Sequence, residues 1–250
     1  MTRRKRNGKS EDVNLTTYQK KRRKPINSQQ LIDIEPLTEN QKLLYEYYDK
    51  GKNIFAHGVP GSGKTFCLLY KALKDVLDVS TPYEKIYIIR SLVQTREIGF
   101  MPGNDQEKKS LFEVPYKSMV KYMFQMASDD EFEMLYGNLK AQDTISFWST
   151  SFIRGITLDN AIIIVDETQN LSSHESFSVI SRCGENTKIM FSGDIEQSDL
   201  VKMTERQGII DFIRVIEVMP SFEKIEFNVD DIVRSPLVKE FVIAKKSLGL

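Results

Sequence analysis

The sequence predicts an α/β fold, a mostly parallel sheet with helices on both faces. Three observations predict it: short apolar runs of strand length, helical stretches alternating with them, and a glycine-rich turn between a strand and a helix. The apolar runs are continuous rather than alternating, as parallel strands covered on both faces are. A chain of 250 residues, 40% of them hydrophobic, can bury one substantial core.

Taken in order, Pro25 to Pro36 reads as an extended linker, and Thr38 starts a helix whose Leu43, Leu44, Tyr47 and Tyr48 share a buried face. Asn53 to His57 is a strand running into the glycine-rich turn, and Lys64 to Leu77 has helical periodicity. Strands follow at Lys85 to Arg90, Thr144 to Trp148, Ala161 to Val165 and Thr187 to Phe191. Helices are expected over Pro115 to Ala127, Ser172 to Cys183 and Gln207 to Val218. No internal repeat divides the chain, so residues 37–250 are expected to form one domain behind an arm and linker over 1–36.

The formal net charge of zero hides an asymmetry. Residues 1–24 hold ten Lys or Arg against Glu11 and Asp12, a net of +8, and the remainder is acidic by the same amount. A basic arm with no apolar core of its own is expected to be disordered alone. It serves either to capture a polyanion through its phosphates or simply to keep the chain solvated. Two cysteines, Cys67 and Cys183, in no CxxC pair exclude a disulfide framework and a zinc knuckle. The absence of an 18-residue apolar run leads to the expectation of a cytoplasmic protein with no membrane partner.

The glycine-rich turn is Gly58, Val59, Pro60, Gly61, Ser62, Gly63, Lys64, Thr65, which matches the phosphate-loop pattern G-x-x-x-x-G-K-[ST] in its required setting. Glycines let successive N–H groups curl around phosphate oxygens, and the following helix adds its positive end. Lys64 reaches the outer phosphates and Thr65 ligates Mg²⁺. Phe66 completes the nucleotide-contacting stretch. A second strand ends in Asp166 and Glu167. Asp166 is placed to hold Mg²⁺ with Thr65, and Glu167 to polarise an attacking water, although paired acids can also simply cap a helix. A third strand leads into Gly193-Asp194-Ile195-Glu196-Gln197, whose Gln197 amide can sense a terminal phosphate.

Taken together, these motifs resemble the PhoH-like family, whose single RecA-type domain is similar to the first motor domain of superfamily 1 helicases. The resemblance rests also on Arg90-Ser91, the segment Ile98 to Gly103, Pro115-Tyr116, the block from Ser151 to Asn170, and Asp230 to Val238. It covers roughly residues 35 to 245. Departures are Ser91-Leu92, Thr168 and Ser235, none of which is a phosphate or metal ligand. The resemblance implies ATP and Mg²⁺ as cofactors, ATP hydrolysis, and a hexameric ring. With so short a segment ahead of the ATPase, the nuclease domain of some relatives is expected to be absent.

Leu37 to Gln41 looks like the adenine-reading segment of those helicases, where Gln41 would pair with adenine; the alternative is an exposed glutamine at a helix start. Phosphoryl transfer gains from an arginine at the γ-phosphate. With no second motor domain, a neighbouring protomer would supply it, through Arg234 or Arg154, in a head-to-tail ring. His57 and His174 lack a third ligand at metal spacing, Cys67 reads as a core residue, and Trp148, near a strand end, either stacks a base or, as is commoner, simply packs.

Two functions remain open at this point. One is an ATPase acting on single-stranded RNA or DNA. The other is an assembly module in which bound nucleotide sets oligomerisation and partner choice. A thymidine-kinase-like enzyme is disfavoured because its zinc-binding cysteines are missing.

Overall fold

The computed structural model describes residues 26–91, 105–195 and 203–248. The basic arm and Gln197 lie outside the described residues.

Thr38 caps α1 (Glu39–Asp49), its hydroxyl accepting from the Gln41 N–H. Then come β1 (Asn53–Gly58), α2 (Lys64–Leu77), β2 (Lys85–Arg90), α3 (Asp105–Phe124), α4 (Asp129–Ala141) and β3 (Ile145–Ser149). They are followed by β4 (Ala161–Val165), α5 (Ser173–Ile180), β5 (Thr187–Gly193), α6 (Met203–Glu217), β6 (Phe222–Phe227) and α7 (Pro236–Ser247).

The six strands form one sheet in the order β3-β2-β4-β5-β1-β6. Every pairing among the described residues is parallel, so the expected mostly parallel sheet is here wholly so. Successive residues of a strand point to opposite faces. On β4, Ile162 and Ile164 join the core under α1 to α4, while Ala161, Ile163 and Val165 join the core under α5 and α6. This two-sided burial is why β4 reads as an unbroken apolar run. The result is the expected α/β fold, one parallel sheet with helices on both faces.

Several expected boundaries need correction. The strand expected at Thr144 begins one residue later, and the one expected to end at Phe191 continues to Gly193. The helix expected to begin at Pro115 begins ten residues earlier and carries that proline inside it. Proline favours a first turn but does not compel one when flanking packing holds the helix. The strand β6 and the helices α4 and α7 were not anticipated. In β6 only alternate stretches are covered, because it is an edge strand, so Phe222, Ile225 and Phe227 do not form a continuous run.

Candidate nucleotide-binding site

All six strands point the same way, so their carboxyl ends share one edge, where ligands of open α/β sheets bind. The P-loop leaves β1 at that edge. Register places Phe55 opposite Phe191 and Val165 opposite both Phe191 and Ile89, bringing the ends of β1, β5, β4 and β2 level.

Sequence makes the loop fit. A Cβ on Gly58 would lie 2.0 Å from the Phe227 carbonyl oxygen, which also accepts the Val59 N–H at 3.1 Å. Gly61 has φ +77°, and a Cβ there would lie 2.8 Å from Arg234 Cγ. Lys64 starts α2 and is buried. Its ammonium donates to the carbonyls of Gly58 (2.8 Å) and Val59 (2.7 Å) and to Ser62 Oγ (3.2 Å). Burial pushes the Lys64 pKa down, against the carboxylates of Asp194, Asp166, Glu167 and Asp231, which favour its charge.

The segment after β6 braces the loop. The Val233 N–H donates to the Gly61 carbonyl at 3.1 Å. Asp231, nearly fully buried, accepts from Asn40 Nδ2 at 2.7 Å and from the Asn228 N–H at 2.9 Å. Gln41 is buried too, which removes the exposed-glutamine alternative. Its Oε1 accepts the Leu37 N–H at 2.8 Å, so the Nε2 end must be the one donating to the Ser62 carbonyl at 2.9 Å. The Gln41 amide therefore grips the P-loop, and adenine pairing would require it to exchange those bonds. Phe66 packs against the core beside Tyr122.

Thr65 and Asp166, 101 residues apart in sequence, meet here. Thr65 Oγ1 lies 2.9 Å from Asp166 Oδ1 and 2.8 Å from Ser192 Oγ. An all-oxygen set of one carboxylate and two hydroxyls fits a hard cation. Magnesium in particular is held by one or two carboxylates together with substrate phosphates and water. No cluster of three His, Cys, Asp or Glu suited to another metal occurs among the described residues.

Glu167 adopts the left-handed conformation (φ 53°), uncommon for such a residue and concentrated at functional sites. Its carboxylate lies 3.6 Å from Arg90 Nη2 and accepts from Gln169 Nε2 at 2.5 Å. Gln169 Oε1 in turn accepts the Asp194 N–H at 2.9 Å. Thr168, one of the three departures noted above, bridges the Val165 and Ser192 carbonyls through its hydroxyl at 3.1 and 3.0 Å. It ties β4 to β5 directly under the acids.

The arginines separate. The aliphatic stem of Arg234 lies against Gly61 of its own chain's P-loop, and the residue is exposed. Arg154 is exposed on the loop after β3, with Nη2 3.4 Å from His174 Nδ1. Trp148 packs on Tyr87 with ring centroids 5.8 Å apart, and Cys67 is buried in the core; burial pushes its thiol up to about 12. Sequence reasoning gave no role to Tyr116, whose hydroxyl donates to Asp166 Oδ2 at 2.6 Å, nor to the Arg90 ion pair. Burial first, and then the Asp166 charge, hold the Tyr116 phenol well above its ordinary value, so it stays a donor. Pro115-Tyr116 belongs to the segments that carry the resemblance, but its sequence neighbours give no sign that the Tyr116 hydroxyl meets Asp166, 50 residues on.

The family described as PhoH-like protein matches residues 33–245. A PhoH-like protein of Mycobacterium leprae is 29% identical over 213 residues, covering 84% of this chain and 58% of that protein. Protein PhoH of Escherichia coli is 30% identical over 185 residues, covering 74% of this chain and 50% of that one. The chain thus spans about half the length of the curated relatives it matches. Among solved structures, the Hef helicase domain of Pyrococcus furiosus aligns over 77% of this chain and 39% of its own, at 12% identity and a TM-score of 0.44.

Proposed function

The chain belongs to the PhoH-like family of P-loop proteins, and from that premise we propose a magnesium-dependent ATPase that acts on single-stranded RNA or DNA as an oligomeric ring. The observation that carries this reading is the meeting of Thr65 with Asp166 beside the P-loop. It supports a phosphate cradle beside a carboxylate that would hold the metal. Thr65 and Asp166 would hold Mg²⁺, which when bound draws charge from the phosphates.

In this reading Lys64 binds the outer phosphates after leaving its loop carbonyls. Glu167 accepts a proton from the attacking water, while Arg90 and Gln169 fix where its carboxylate sits. The Arg234 stem against Gly61 supports a phosphate-facing role in cis. Arg154, exposed on the loop after β3, is then the candidate for a neighbouring site. Gln197 stays a proposed γ-phosphate sensor, outside the described residues.

Support for nucleic acid comes from the basic arm and from the sheet edge. There Phe152 and Phe177 stand about half exposed, near Arg154 and His174. Aromatic faces beside cations suit stacked bases of a single strand. Self-association is supported by α7, which buries no residue against the domain and leaves Leu237 and Phe241 largely exposed. That same bare helix favours the second reading, a nucleotide-set assembly module with slow hydrolysis.

Two measurements decide. Calorimetry with ATP and Mg²⁺ should show binding that Asp166→Asn weakens, and no binding by the intact chain removes the ATPase reading. Turnover with and without single-stranded RNA or DNA then separates the alternatives: stimulation supports the first, and indifference, with assembly tracking nucleotide, supports the second.

A further inference from the structure

The Asp166 carboxylate is hydrogen-bonded by the P-loop Thr65 and, from outside the loop, by Tyr116. Tyr116 lies in α3, is 1% exposed, and its ring packs on Phe147 with centroids 5.5 Å apart. Below it Val120, Met123 and Phe124 anchor the same helix in the core, so its position is set by packing. Its hydroxyl donates to Asp166 Oδ2 at 2.6 Å while Thr65 donates to Oδ1 at 2.9 Å. The last torsion of an aspartate is broad and roughly two-fold, so a carboxylate held at one oxygen still swings. Held at both, it has one orientation.

We propose that Tyr116 is a positioning residue for the metal-holding carboxylate. By occupying Oδ2 it fixes Asp166 so that Oδ1 faces Thr65, and it sets the site to the narrow demands of magnesium. The inference rests on the reading of Asp166 as the magnesium-holding group. The consequence for selectivity follows from coordination chemistry: Mg²⁺ requires near-ideal octahedral geometry, whereas Ca²⁺ accepts flexible and irregular arrangements. Loss of an outer-shell hydrogen bond typically costs about 10- to 100-fold in metal affinity. Here that loss should fall mainly on magnesium.

A purely structural alternative also predicts a buried partner for a buried phenol, so the test must separate the two. Binding of a fluorescent ATP analogue to the full chain is titrated with Mg²⁺ and, separately, with Ca²⁺, for the natural sequence and for Tyr116→Phe. The proposal expects the half-saturating Mg²⁺ concentration to rise about tenfold or more in the variant, with a distinctly smaller rise for Ca²⁺. In the Asp166→Asn background, Tyr116→Phe should add no further shift, because the hydroxyl acts through that carboxylate. An unchanged Mg²⁺ requirement, an equal shift for both ions, or additivity with Asp166→Asn overturns the proposal. Should Tyr116→Phe not fold, a crystal structure of the natural chain with Mg²⁺ and a non-hydrolysable ATP analogue decides. A Tyr116 hydroxyl no longer within hydrogen-bond distance of Asp166 would equally overturn it. Failure of the natural chain to bind the analogue with Mg²⁺ would count instead against the ATPase reading itself.

Discussion

His57 and Gly58 close β1 side by side, and each carries a consequence of the crowding there. Burial lowers the His57 pKa below its ordinary value, opposed by Glu226 and Glu217 and reinforced by Lys224 and Lys64. Its Nε2 has no hydrogen-bond partner. The unfolded chain therefore takes up a proton first as pH falls. His57 leaves stability intact above about pH 6.5 and removes it progressively below. His57→Phe, whose ring suits the neighbouring Phe55, should flatten the fall of melting temperature between neutral and mildly acid pH. Melts across that range check this, and an undiminished slope would assign the acid sensitivity elsewhere. Gly58→Ala acts differently, since its methyl would overlap a backbone oxygen rather than a movable side chain. The strands β1 and β6 must part, at an expected cost above about 3 kcal/mol. For a domain of this size that is a fall of roughly 6–12 °C in melting temperature, read in the same assay.

At the scale of elements, the brace over the P-loop is built from pieces far apart in sequence: the start of α1, the loop itself, and the turn after β6. Asp231 is its knot. Asp231→Ala leaves Asn40 and the Asn228 N–H without their buried acceptor. It should cost about 2–3 kcal/mol and weaken nucleotide binding while leaving the sheet intact, as thermal melts and calorimetry would show. Unaltered nucleotide affinity in a destabilised variant would reduce the brace to a stability device. The segments of the brace stand out in the sequence but their contacts with one another do not, and the reason is physical. P-loop chemistry is written in contiguous residues, and β4 reads as buried because both faces are covered, so Lys64, Thr65, Asp166 and the strands carrying them could be found by pattern. Tyr116, Asn40 and Asp231 lie in segments that the motifs single out, yet they act through partners 50 to 191 residues away, contacts that no local pattern encodes. The edge strand β6 escaped for a related reason, since one-sided neighbours leave it no continuous apolar run. Gln41 shows the converse: its motif was visible, but its burial against the Ser62 carbonyl was not.

On the scale of the whole molecule, the open question is what meets α7. Leu237 and Phe241 are one helical turn apart and Leu248 continues the same side, with 73%, 66% and 71% of their surfaces exposed. A helix holding such a stripe to solvent gains by covering it. If a second copy covers it, Leu237→Ser combined with Phe241→Ser should leave the melting temperature of the dilute protein nearly unchanged, because neither side chain is buried within the domain. The same variant should fail to assemble in sedimentation runs where the natural sequence does so with ATP and Mg²⁺. Unaltered assembly would move the interface elsewhere. The variant also discriminates between the two arginines. Arg234 lies against its own P-loop, so if it is the group that stabilises the transferring phosphoryl, turnover per chain survives in the unassembled variant and is lost on Arg234→Ala. If Arg154 from a neighbour supplies that charge, turnover collapses together with assembly. Arg154→Ala should then abolish it in chains that still form the ring.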